Sequence, residues 1–281
     1  MTDPKDEEVK IARPSVWRLA LLADGGALTA VAHSTVEDSS LRVIRAGRDE
    51  AAPSQLKSVE DAVYAHPWLL SGFGRTDVIV RSDSFAVVPP ELDVSAAGAD
   101  LLSFEAAAEE PSETIADTAG PAAIVWTAPA ALLSFFRRTF PNCHFRHHLT
   151  PLLQYFSRQT DLGNSGKVYV HFHDCAAGDP GEADVLVFAR GGHLVFANTF
   201  RYRTTDDAVY FVLGAARMSG INLADDRIML CGDAVAREKA ATALRRFANY
   251  VMPVIFPSSM YRAGRDAINA PFPLIILPLC E

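Results

Sequence analysis

The chain has 281 residues, enough for two domains of ordinary size or one large one, and 49% hydrophobic with 21% charged residues describes a globular protein with a real core. A net charge of −8 argues against a nucleic-acid or anionic-membrane binder. No apolar run reaches the length of a bilayer-spanning helix, about 20 residues, so no membrane insertion is expected.

Met1 to Glu8 is charged, lacks the apolar stretch of a secretory signal and reads as a short tail. Val16 to Ala23 is an apolar strand closed by the turn Asp24-Gly25-Gly26, and Ala27 to His33 returns as its hairpin partner. Leu41 to Ile44 adds a third strand. Leu56, Val59 and Val63 have the spacing of a helix face, which Pro67 ends or bends. Asp77 to Val80 is a strand, followed by the polar turn Arg81 to Ser84 and a further extended run, Phe85 to Val88. Residues 95–107 are Ala-rich and helix-compatible, and Glu109 to Gly120 reads as an acidic surface loop. Ala122 to Trp126 is a strand, Pro129 heads a helix running to Phe140, Cys143 to His147 is another strand, and Thr150-Pro151 starts a helix over 152–158. Asp161 to Gly166 reads as a linker.

The second half opens with the strand Lys167 to His173, which has Val168, Val170 and Phe172 on one face and Tyr169, His171 and His173 on the other. After a loop from Asp174 to Glu182, the run Asp184 to Ala189, the turn Arg190-Gly191-Gly192 and the run His193 to Tyr202 form a second hairpin. Thr204 to Asp207 offers an N-cap and first-turn acids for a helix through Tyr210, Leu213 and Met218 that stops at Gly220. Arg227 to Leu230 is a buried-type strand, Ala234 to Tyr250 a helix, and Val251 to Phe256 a last strand. The apolar end, Phe272 to Leu279, either packs as a strand or presents a patch to a partner.

Residues 167–256 thus run strand, strand, strand, helix, strand, helix, strand, and residues 16–147 follow the same order with extra material between 85 and 120. A structural duplication explains this economically. A three-strand meander extended through helical crossovers gives a mixed sheet with helices on its faces. The expected fold is therefore α/β, with two halves over 1–160 and 161–281, each a mixed five-stranded sheet. The order, occurring twice, is similar to the ribonuclease H-like fold of actin and sugar kinases. Thr76 to Leu92, with its strand, loop and Val-Pro-x-x-Leu pattern, and Gly192 to Tyr210, with Leu-x-x-Ala-Asn-x-Phe and Asp-x-x-Tyr, resemble a bacterial family of uncharacterised proteins with an actin-like ATPase fold. That resemblance implies no established activity.

In active members of the wider superfamily each half places an acid at the end of its first strand, before a glycine-bearing turn that meets the phosphates of ATP with magnesium. On this resemblance the candidate cofactor-binding residues are Asp24, Gly25 and Gly26 in the first half, and Asp174, Gly232 and Asp233 in the second. Each motif departs from the pattern. No hydroxyl or lysine follows the first turn, Pro180 stands in the loop after Asp174, and Asp233 replaces the second glycine of a Gly-Gly pair. The same residues also read as ordinary structure, Asp24-Gly25-Gly26 as a hairpin turn and Gly232-Asp233 as a strand-to-helix turn with an N-cap.

Of the histidines, His171 and His173 share a strand face with Tyr169, but nothing in the sequence brings them to His144, His147 and His148, so a polar strand face is expected and no metal site. No Gly-x-Ser-x-Gly elbow, His-Glu-x-x-His or P-loop occurs, and no catalytic residue is assigned. Arg237, Lys239, Arg245 and Arg246 on one helix, and Arg137-Arg138, read as solvated basic faces. Cys143, Cys175, Cys231 and Cys280 lack a C-x-x-C pair, which fits a cytoplasmic chain with reduced thiols. The expected function is a non-catalytic binding or assembly module with a protein partner, and a third, separate reading is an adaptor for a membrane complex. The alternative is an ATPase or sugar-kinase-like phosphotransferase using the cleft between the halves.

Overall fold

The structure, a computed structural model, describes residues 11–92, 101–102, 110–160, 164–174 and 180–280. Its first sheet contains β1 (Trp17–Asp24), β2 (Ala27–Ser34), β3 (Arg42–Ala46), β4 (Arg75–Val80) and, later in the chain, β8 (His144–His147). The strand order is β3-β2-β1-β4-β8, with β1 antiparallel to β2 and parallel to β4. Between β4 and β8 a small antiparallel sheet is inserted, made of β5 (Phe85–Val88), β6 (Ser112–Thr118) and β7 (Ala123–Pro129), in the order β5-β7-β6. The second five-stranded sheet contains β9 (Lys167–Phe172), β10 (Gly181–Phe188), β11 (Leu194–Tyr202), β12 (Arg227–Gly232) and β13 (Tyr250–Pro253), in the order β11-β10-β9-β12-β13. In both large sheets the first three strands form an antiparallel meander and the last two run parallel beyond the first.

The helices follow from caps and apolar faces. Ser54 caps α1 (Gln55–Ala65) by accepting from Lys57 N, and the helix turns Val59 and Val63 inward. A capping box between Thr204 and Asp207 starts α4 (Thr205–Met218). Asp233 caps α5 (Ala234–Leu244). Helices α4 and α5 cover one face of the second sheet, burying Val168, Val170 and Phe172 of β9 against Val209, Val212 and Leu244. Each such fully buried apolar side chain contributes about 1.5–3 kcal/mol. The opposite face of β9 looks toward the first half, where Tyr169 stacks on Phe156 of α3 (Thr150–Thr160) with ring centroids 3.9 Å apart. One core therefore runs from Leu19 and Leu21 of β1 through α2 (Ala130–Thr139) and α3 to Leu186 and Phe188 of β10.

Several expectations are corrected. Within 109–120 the chain forms strand β6, whose inward residues Glu113, Ile115 and Asp117 alternate with exposed ones. Its acids suit a strand because Arg137 pairs with Glu113 and Arg146 with Asp117. Of the two alternatives for the apolar end, it packs, but as helix α6 (Phe272–Ile276) rather than a strand, since Pro273 favours a first helical turn. Helix α5 ends at Leu244, so Arg245 and Arg246 lie beyond it. The Ala-rich segment expected over 95–107, apart from 101–102, and Cys175 in the loop before β10, lie outside the described residues. Among the described residues no helix is long and apolar enough to cross a membrane.

Candidate functional site

A cleft of about 690 Å³ opens between the two large sheets. It lies beyond the carboxyl ends of β4, β9 and β12, where the parallel strands of open α/β sheets release their loops. Segment 268–273, leading into α6, forms one wall.

Arg81, the residue after β4, occupies the base of the cleft with a side chain only 7% exposed. Its Nε lies 3.7 Å from Asp24 Oδ1 at the end of β1. Across the cleft its guanidinium pairs with Glu182 of β10, and Nη1 donates to His173 Nδ1 at 2.5 Å. Arg201 of β11 pairs with Glu182 and with Asp83, adding a second cation to this bridge between the halves. A planar guanidinium offers several donors in fixed directions, which is why one arginine can join three elements.

Below the bridge lies a buried polar network centred on Asp184, 1% exposed. The antiparallel register sets Asp184 of β10 opposite His171 of β9 and Thr199 of β11. His171 Nδ1 lies 3.1 Å and His173 Nε2 2.7 Å from Asp184 Oδ2, and the Thr199 hydroxyl donates to Asp184 Oδ1 at 2.8 Å. His148, on the turn between β8 and α3, reaches across from the first half, with Nε2 3.0 Å from Thr199 Oγ1 and 3.5 Å from Asp184 Oδ1. Because Arg81 donates to His173 Nδ1, that ring turns its Nε2–H toward Asp184. Burial pushes the Asp184 carboxyl up, but its electrostatic interaction with His173 and hydrogen bonds from His148, His171 and His173 reverse this and hold it well below the ordinary carboxylate range. Burial also holds His148 and His171 below the ordinary imidazole range.

Of the six residues expected to bind a cofactor, Asp24, Asp174, Gly232 and Asp233 line this cleft. Gly25 and Gly26 do not. They form the two-residue β1–β2 turn, with φ of 54° and 97°, and Gly26 O accepts from Ser58 Oγ of α1. Asp174 lies 4.0 Å from Arg45. Gly232 has φ of 86° and a Cβ there would stand 1.9 Å from Phe172 O, so this strand end admits only glycine. The Asp233 carboxylate accepts from Ala236 N at 2.7 Å as the cap of α5.

The plain polar strand face expected for His171 and His173 is corrected, since both are engaged by Asp184 and His148 joins them. His147 instead packs beside Phe85, with Nε2 3.3 Å from Ser82 O, and His144 is exposed. Sequence reasoning passes over Arg81, Glu182, Asp184 and Thr199. The available signal is Asp184 itself, a lone acid inside the apolar run Ala183 to Phe188. The ligand atoms of His171, His173 and Asp184 lie within 4.8 Å of one another, a grouping that could hold a metal ion.

The fold matches that of a protein from Bacteroides thetaiotaomicron VPI-5482 described as having an actin-like ATPase fold and unknown function, with a TM-score of 0.73 and 19% identity over 88% of this chain and 94% of that one. A chain of the PilM-PilN type IV pilus biogenesis complex matches with a TM-score of 0.54 and 13% identity, covering 94% of this chain and 97% of that one. At these identities the likeness shows the actin-like fold alone. No curated protein matches the sequence. Residues 31–251, most of the chain, match the family described as "Protein of unknown function (DUF3822)", and the chain belongs to that family.

Proposed function

We propose that this protein is a non-catalytic, actin-like binding or assembly module whose cleft receives a segment of a protein partner in the cytoplasm. The observation that carries this reading is the Arg81 bridge. Two of the groups that would have to serve magnesium and phosphate already have partners, Asp24 beside Arg81 and Asp233 as the cap of α5, and Asp174 stands 4.0 Å from Arg45. A magnesium shell needs free carboxylates, and a phosphate cradle needs the amides of the glycine turn, but Gly25 and Gly26 do not line the cleft. These contacts support a cleft that has lost its fit to ATP with magnesium. The pilus-complex chain that shares the fold supports a protein partner. In the same reading the halves, divided near residues 160 and 161, arose by duplication, which the common strand order of the two sheets supports.

Isothermal titration with ATP and magnesium is expected to give no micromolar binding and no phosphate release. Micromolar binding with turnover would overturn the reading. The alternative, a nucleotide-dependent enzyme, is favoured by one observation, that Asp24 and Asp174 line the same cleft. It requires that Asp24→Asn and Asp174→Asn each abolish any hydrolysis measured.

A further inference from the structure

His171 of β9 and His173, the residue just past its end, project to the same side, Asp184 lies directly opposite His171 on β10, and Thr199 lies opposite Asp184 on β11. On a pleated sheet this register aims the side chains at one point above the surface. Two imidazole nitrogens, His171 Nδ1 at 3.1 Å and His173 Nε2 at 2.7 Å, converge on a single oxygen, Asp184 Oδ2. From this convergence we infer that His171, His173 and Asp184 bind a divalent transition-metal ion of the zinc type at the base of the cleft, with a further coordination position open to the cleft.

The dimensions suit such an ion. Zinc takes imidazole nitrogen and carboxylate oxygen at about 2.0–2.2 Å, which sets tetrahedral ligand atoms about 3.3 Å apart. From the observed separations, 2.7 and 3.1 Å, each imidazole nitrogen needs to withdraw from Asp184 Oδ2 by only about 0.2–0.6 Å, and all three ligand atoms already lie within 4.8 Å of one another. Two nitrogens and one oxygen form a borderline donor set, matched to zinc or cobalt and not to magnesium or calcium, which take oxygen ligands. Three protein ligands beside a cleft leave room for a water or an incoming donor.

The surroundings also suit a cation. Thr199 holds the other carboxylate oxygen, Asp184 Oδ1, at 2.8 Å, and His148 stands 3.5 Å from it, so Oδ2 is left to the metal by partners that fix the carboxylate's orientation. In the connected network four carboxylates, those of Asp24, Asp83, Glu182 and Asp184, face two guanidiniums, those of Arg81 and Arg201. That leaves two negative charges, which a divalent ion neutralises. Arg81 touches His173 at Nδ1, the far side of the ring from the coordinating Nε2. Coordination moves the ring proton of His171 to Nε2 and that of His173 to Nδ1, with no net proton change, and turns Arg81 from His173 toward Glu182 and Asp24.

The inference does not depend on whether the cleft takes a protein segment or a nucleotide. It is tested on the full chain after chelator treatment and dialysis, titrated with zinc by calorimetry and with cobalt by absorption spectroscopy. One equivalent per chain is expected, with the intense visible bands of four-coordinate cobalt. His171→Gln and His173→Gln should each abolish the stoichiometric uptake, and His144→Gln, at an exposed histidine of β8, should leave it intact. Thr199→Val, which removes only the hydroxyl that positions Asp184, should weaken binding about 10–100-fold. A wild-type chain that takes up no stoichiometric zinc or cobalt overturns the proposal, whatever the variants do. So does cobalt bound with a weak octahedral spectrum, or uptake that survives in folded His171→Gln and His173→Gln.

Discussion

Arg81 pairs at once with Asp24 of the first half and Glu182 of the second while almost excluded from water. Removing one partner of a buried ion pair leaves the others uncompensated, at about 3–5 kcal/mol. Arg201 still serves Glu182, so Arg81→Met should fall at the low end, about 3 kcal/mol less stable in urea denaturation. Arg81→Lys should recover little, because one ammonium lacks the fork that reaches three elements. Wild-type stability in Arg81→Met would show that the bridge holds nothing. His33 on β2 gives a pH signature. Burial, with Arg18 nearby, pulls its imidazole down to about 4. The folded chain therefore keeps His33 neutral, while the unfolded chain takes up a proton near its ordinary pKa of about 6.5. The stability is intact above pH 6.5 and is lost as pH falls toward 4. The slope is at most about 1.4 kcal/mol per pH unit, less for a half-buried ring screened by water. His33→Gln should flatten the acid side of the stability curve, and an unchanged curve would remove His33 as its cause.

At the scale of elements, the strand end before α5 joins backbone and cap. Gly232→Ala drives a methyl into the carbonyl of Phe172 at a positive φ and should cost at least about 2 kcal/mol, read from the thermal midpoint. Asp233→Ala loses only the bond to Ala236 N, about 1 kcal/mol. If the two variants were equally mild, the close approach of Gly232 to Phe172 would be wrong. Elements like these are legible in sequence because their signals are local. The glycine turns, the Thr204 to Asp207 box and the alternation of β9 each sit within a few residues. Strand β6 is not legible, since its acids look like a surface loop until Arg137 and Arg146 arrive from elements far along the chain. The candidate site is hidden for the same reason. The His171 and His173 alternation is visible, but Asp184 joins them through pairing register, and Arg81 meets His173 across 92 residues of sequence.

At the scale of the molecule, strand order suggests two halves that divide near residue 160, but packing ties them more closely. After β13 the chain returns to the first half, where Met260, Leu274 and Ile275 cover Val31 and Ile79 on one face of the first sheet. Backbone bonds from Ser39 N to Arg262 O and from Leu41 N to Ala263 O dock the same segment beside β3. On the other side of that sheet Phe156 of α3 stacks on Tyr169 of β9 and on Phe272 of α6. A fragment of residues 1–160 keeps α1 to α3 on one face of its sheet but would expose the face that carries Val31 and Ile79 and the side of Phe156 that Tyr169 and Phe272 cover, giving up the burial of several large side chains at about 1.5–3 kcal/mol each, a loss comparable to a whole domain's stability. Expressed alone it should lack a cooperative melting transition by circular dichroism, and co-expression with residues 161–281 should restore one. A fragment 1–160 that melts cooperatively by itself would mean that the first half folds independently and that the C-terminal segment is an accessory clasp. Failure of the fragment would make residues 258–280 structurally part of the first half.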